Sequence, residues 1–137
     1  MSYSDFLEKS LMDMAFGGVT FTPSSILYVA LSSGNPGENL QTFVEPAVGG
    51  YARVGVDNNK TTFSNAINSV NSGVIHNMIS IEFPRATDFV GLVTHFVLLD
   101  QDVGGHSYGY GVLSNARTIY SGDTPNFASG TMTITMD

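Results

Sequence analysis

The rhythm of apolar and polar positions changes once along this chain, near residue 18. Before that point Leu7, Leu11 and Met14 recur along one helical face, and Phe6, Met12 and Phe16 widen the stripe. Asp5 and Glu8 have capping-box spacing, and Gly17-Gly18 supplies a left-handed stop, so the spacing predicts a short α-helix within residues 1–18. An amphipathic helix of this kind packs on its own sheet or docks on another subunit; in the second case Phe6, Leu7, Leu11 and Met14 are the subunit contact.

After Thr22-Pro23 the period becomes two and stays so. Residues 26–32 (ILYVALS) read as a buried strand closed by a loop of turn residues, SSGNPGEN. A polar segment over 41–50 leads to YARVGV, in which Tyr51, Arg53 and Gly55 alternate with Ala52, Val54 and Val56 and predict one wet face. Residues 57–60 read as a turn, 61–64 as a short strand, 65–73 as a connector and 74–83 as one strand ended by Pro84. The run over 90–99 is apolar on both alternating faces except at Thr94 and His95, so it predicts a strand covered from two sides. It should form a hairpin with 107–114 across a glycine-rich hinge. A further short strand follows at 118–121, and the closing segment, 130–137, sets Met132, Ile134 and Met136 against Thr131, Thr133 and Thr135. These elements predict a mainly β fold: an antiparallel β-sandwich, immunoglobulin-like or jelly-roll, forming a single domain over 19–137 behind one short N-terminal α-helix, with a barrel as the alternative closure.

Length agrees with one domain, since 137 residues fall within the usual ~100–150. Charge alters the picture more. Charged residues make up 12% of the chain against about 25% in ordinary soluble domains, which suits a surface that is partly covered by neighbouring subunits. Five Lys and Arg residues and a net charge of -7 argue against gripping a phosphate backbone, so no nucleic-acid partner is expected. The absence of cysteine removes disulfides and thiolate chemistry and fits synthesis in a reducing cytoplasm. No apolar stretch reaches the ~18–20 residues of a membrane span, and no leader pattern opens the chain, so neither membrane insertion nor export is expected.

Candidate chemistry is thin. His95 lies inside the most apolar strand and reads as a hydrogen-bonded core or interface residue. His106, near Asp100 and Asp102, has the composition of a turn and lacks a further ligand at metal-site spacing. No nucleophile elbow or phosphate-cradling loop is present, and nothing brings two of Glu45, Glu82, Asp88 and Asp100 together, so no enzyme activity, cofactor or metal is expected.

The series Leu27-Tyr28-Val29-Ala30-Leu31, Glu45-Pro46, Gly49-Gly50-Tyr51-Ala52-Arg53, Phe83-Pro84-Arg85-Ala86-Thr87, Val93-Thr94-His95-Phe96, Gly122-Asp123-Thr124-Pro125 and Thr133-Ile134-Thr135-Met136-Asp137 resembles a family of small structural proteins of tailed bacteriophages. Members are often labelled phage tail fibre protein, and capsid cement proteins of similar size and β-sandwich build decorate phage heads as trimers. The resemblance implies a virion component made in the bacterial cytoplasm, first of all a homotrimeric cement protein that stabilises the head by bridging capsomers of the major capsid protein. The alternative is a tail fibre or adhesin component beside other tail proteins, with Tyr51, Tyr108 or Tyr110 exposed to host glycans. An envelope hydrolase acting through His106 and Asp102 is a third reading, against which the missing constellation counts. Relatives place Trp-Gly after the Ala-Thr step; here Phe89-Val90-Gly91 fills that region, as a smaller aromatic plug.

Overall fold

The computed structural model of the chain describes residues 2–70 and 72–136. Met1 at the head of the expected helical segment, Asn71 in the expected connector and Asp137 at the end of the expected closing strand lie outside the described residues. The elements are Ser2–Tyr3 (β1), Asp5–Gly17 (α1), Ile26–Ser32 (β2), Val54–Asp57 (β3), Ile67–Ser69 (β4), Ser72–His76 (β5), Ile81–Glu82 (β6), Gly91–Leu99 (β7), Ser107–Ile119 (β8), Asn126–Phe127 (β9) and Thr133–Met136 (β10). The fold is mainly β, with antiparallel sheets and one short helix near the N-terminus, as the periodicity predicts.

β1-β8-β7-β2-β3 form a five-stranded sheet, β10-β5-β4 a three-stranded one and β6-β9 a two-stranded one. Tyr28 pairs with Leu99 and Ser32 with His95, which aligns the two most apolar strands at the centre of the large sheet. Leu27, Val29, Leu31, Phe96 and Leu98 point from it into the main core. Phe63, Ile81, Phe83 and Met132, with Ile75, Phe127 and Ile134 half-buried, close that core from the side of the small sheets. Burying each such side chain contributes roughly 1.5–3 kcal/mol.

The two-sided cover expected for β7 is present, and it comes from within the chain. Val97 and Leu99 point away from the main core and, with Ala30, are capped by Leu40, Phe43 and Tyr110. Residues 33–53, a long connection without regular structure until β3, therefore serve as a second layer. The apolar character of both faces of β7 thus needs no neighbouring protomer to explain it.

Local expectations are corrected in several places. The strand expected over 74–83 is two strands in different sheets. Asn77 divides them: it is buried, its Nδ2 donates to the carbonyls of Ile79 (2.9 Å) and Ala128 (3.0 Å), and its Oδ1 accepts from the Met132 amide (2.8 Å). A fully satisfied buried amide holds a chain reversal that apolar periodicity cannot register. The connector expected over 65–73 contains β4 and the start of β5, and the strand expected over 61–64 is a single bridge from Phe63 to Asn77. The strand expected at 118–121 is the far end of β8, which runs on past residue 114 to Ile119.

Candidate interaction surface

The helix is fastened at its first turn. Ser4, not Asp5, is the N-cap: its hydroxyl accepts from the Leu7 amide (3.1 Å) and donates to the Ser107 carbonyl. The buried serine also sits beside the β1–β8 pairing, where Ser2 faces Tyr110. Phe6 then stacks on His106 with centroids 4.2 Å apart and meets Phe21 edge-on at 6.3 Å. His106 is itself held by Asp100, whose carboxylate accepts from the His106 amide (2.7 Å) and contacts Nδ1 (3.2 Å). Gly18, at φ 65°, ends the helix as the glycine pair predicts. Ser4→Ala should lower stability by about 1–2 kcal/mol through the lost cap and the stripped Ser107 carbonyl. A urea midpoint unchanged from the parent would show that the hydroxyl is dispensable.

This fastening divides the four helix residues expected at a subunit contact. Phe6 and Leu7 pack against the main core, Leu11 is half-buried, and Met14 is exposed. No helix residue is fully buried, and the distal half presents Met12, Met14 and Phe16, followed by Val19. Phe16 is 87% exposed, the extreme among the aromatic residues left outside the core. Single exposed apolar residues are ordinary, but Met12 and Phe16, four positions apart, share one face at the helix end, and an exposed methionine-phenylalanine pair there has the composition of a contact surface.

Other aromatic residues divide differently from expectation. Tyr51 is half-buried: its hydroxyl donates to Glu45 Oε1 (3.0 Å) and accepts from the Leu31 amide (2.9 Å), and burial pushes the phenol far above its usual range. Tyr108 is buried with its hydroxyl accepting from the Ser24 amide (2.9 Å), and Tyr110 packs over Val97 and Leu99. Tyr108 is therefore buried and Tyr51 and Tyr110 half-buried, where the sequence led to the expectation of exposed rings. Phe89, expected as a plug, is half-exposed and lies against Tyr120 with centroids 5.6 Å apart.

The polar candidates are engaged locally. Arg53 grips Glu45 through two contacts, Nε to Oε1 at 2.8 Å and Nη2 to Oε2 at 2.9 Å, and Nη1 donates to the carbonyls of Gln101 and Gly104. The hydrogen bonds to Glu45 hold the guanidinium still further toward its charged form. His95 contacts the Thr94 hydroxyl at 2.7 Å, and desolvation lowers its pKa. His76 contacts the Thr133 hydroxyl, and Asp88 accepts from the Phe89 amide. Among the described residues no three His, Cys, Asp or Glu side chains are grouped to hold a metal ion, and no helix is long and apolar enough to cross a membrane.

Sequence reasoning missed two features. Arg53 reads as a wet-face residue because its partner lies eight positions earlier in an irregular loop, beyond any periodic signal. A cleft beside β8, with Arg117 at its rim, depends on a bulge that the run of residue types does not announce.

A comparison with curated proteins finds no match. The sequence does match, over residues 2–135, the family described as Podophage GP4 fiber I protein gp80. With that match spanning nearly all of a mainly β chain, the protein belongs to the podophage GP4 fiber I protein family and is a structural component of a phage virion.

Proposed function

We propose that the chain is a tail-fibre subunit that works by association rather than by catalysis, with the distal helix face of Met12 and Phe16 as its contact with further copies or with other tail proteins. The match to a fibre family over residues 2–135 carries the reading, and the unpartnered helix end supplies a surface for it. The family description favours the tail over the capsid-cement role that the sequence alone put first. Covering Phe16 and its neighbours would stabilise an assembly by roughly 25 cal/mol for each Å² removed from water.

Antibody labelling of intact virions, or a particle map, tests the location. Density or label confined to the tail is the expected result; copies distributed over the head would restore the cement reading. Association is tested on the isolated protein. Met12→Ser combined with Phe16→Ser should shift sedimentation from oligomer to monomer while changing the stability of the monomer by less than about 0.5 kcal/mol, because both side chains are exposed in the single chain. A parent protein that is already monomeric, or a variant that associates as the parent does, removes this helix face from the assembly. The same measurement gives the number of copies and so decides for or against the homotrimer.

A further inference from the structure

Arg117 stands in an unusual place for a charge. It pairs with Val93 across the β7–β8 ladder, and directly opposed residues of an antiparallel pair share a face. Val93 and, two residues along β8, Ile119 are both core side chains at 2% exposure. Arg117 therefore points to the core side of the sheet, at its margin, where the ladder is interrupted. Between the pairs Val93–Arg117 and His95–Val112, four residues of β8 oppose one of β7, so β8 bows outward and opens a cleft of about 390 Å³. Phe96 and Phe127 lie in its wall, packed edge-to-face at 5.5 Å, and Asn115, Asn126 and Thr131 stand around it.

Within the described residues the side chains of Arg117, Asn115 and Asn126 make no hydrogen bond or ion pair, and no carboxylate lines the cleft. Among the described residues no Asp or Glu is committed to this guanidinium, although the chain carries a net charge of -7. The fork of a guanidinium suits carboxylate or phosphate oxygens, free amides suit hydroxyl groups, and a half-buried phenyl ring such as Phe127 suits the C–H face of a sugar ring. The volume lies within the usual range of about 300–1,000 Å³ for small-ligand sites. The deeper wall residues, Phe83, Val93 and Phe96, are each closed to 5% exposure or less, which leaves no deep apolar socket to anchor a peptide side chain.

We propose that this cleft binds an acidic saccharide, with its anionic group on Arg117, a ring face on Phe127 and hydroxyls on Asn115 and Asn126. Such binding belongs to the folded chain wherever it sits on the virion, so its failure would leave the fibre assignment untouched. The test is titration of the full chain with uronic-acid oligosaccharides, their sugar-phosphate counterparts and the neutral parent sugars, followed by calorimetry or amide chemical-shift mapping. One acidic class should bind at least about tenfold tighter than the neutral sugars, weaken with added salt, and lose about tenfold in Arg117→Gln, an exposed substitution that leaves the melting curve in place. The carboxylate and phosphate arms decide which anion is read.

Equal binding of neutral and acidic sugars, or undiminished binding by Arg117→Gln, would overturn the proposal. So would an acidic peptide that binds the cleft as well as any saccharide. The outer edge of β8 beyond Tyr110 has no neighbouring strand among the described residues, so an inward charge could instead guard that edge against pairing. In that case Arg117→Gln would aggregate and no acidic saccharide would bind, which also sinks the assignment. Asn115→Ala with Asn126→Ala serves as the second variant: saccharide affinity should fall while salt dependence remains.

Discussion

Arg53→Met should lower the stability of the folded chain by about 3 kcal/mol, close to the smaller of the values typical when one partner of a buried ion pair is removed. Only 7% of the Arg53 side chain is exposed, and Glu45 keeps 25%, so the stranded carboxylate would have partial access to water, which holds the loss to that lower range. The damage extends beyond the pair. Arg53 joins the irregular connection before β3 to the β7–β8 turn through the Gln101 and Gly104 carbonyls, and Glu45 in turn accepts from Tyr51, whose hydroxyl receives the Leu31 amide of β2. Thermal denaturation should show a melting point lower by about 10 °C. Arg53→Lys should recover little, because an ammonium cannot reproduce the fork that meets both Glu45 oxygens and two carbonyls. Arg53→Met combined with Glu45→Gln should lose less than Arg53→Met alone, since no uncompensated charge remains. A melting point for Arg53→Met within a degree or two of the parent would show the network to be incidental.

Gly49→Ala should have a comparable effect for a steric reason. Gly49 sits at φ 70°, and a β-carbon there would lie 2.8 Å from both the Asp88 carbonyl oxygen and Val90 Cγ2. Its own carbonyl accepts from the Thr87 amide at 2.9 Å, so neither backbone segment can withdraw without breaking that bond. Left-handed backbone costs a residue with a side chain about 1–2 kcal/mol, and the forced contact raises the total to about 3 kcal/mol. Gly104→Ala isolates the first contribution, because Gly104 has φ 65° with open space around its absent β-carbon. The difference between the two denaturation midpoints therefore measures the contact. Equal midpoints would mean that residues 88–90 yield freely.

Both predictions fall on the segment before β3, where sequence reading saw a polar connection at Gly49 and one wet face of an alternating stretch at Arg53. Its glycines and its Glu45-Pro46 step were visible as residues, yet nothing in their order indicates that Leu40 and Phe43 cap Val97 and Leu99. The cap is made between positions more than fifty apart, and a loop without a period leaves no trace of which side chain turns inward. β2, the β7–β8 hairpin and the helix with its glycine stop were legible because each is specified by neighbours within a few residues: β-branched and apolar runs, turn residues, a stripe at helical spacing.

The candidate contact surface was legible to the same depth. Residue spacing marked an apolar helix face, and the docking of its first turn on His106 divided that face into an internal half and a free half. The cleft was not legible at all. The register break after Val93 puts Val93 and Phe96 on one face, although strict alternation assigns them to opposite faces, and the same break carries Arg117 to the core side.

Local chemistry in the chain thus determined the class of fold, the helix and its stop and the two central strands, all of which follow from periodicities and turn preferences acting over a few residues. Tertiary structure alone decided the division of strands among three sheets, the loop that covers β7, the free end of the helix and the cleft at Arg117. Those depend on satisfying buried polar groups and filling space between distant segments, and such constraints exist only once the segments have met.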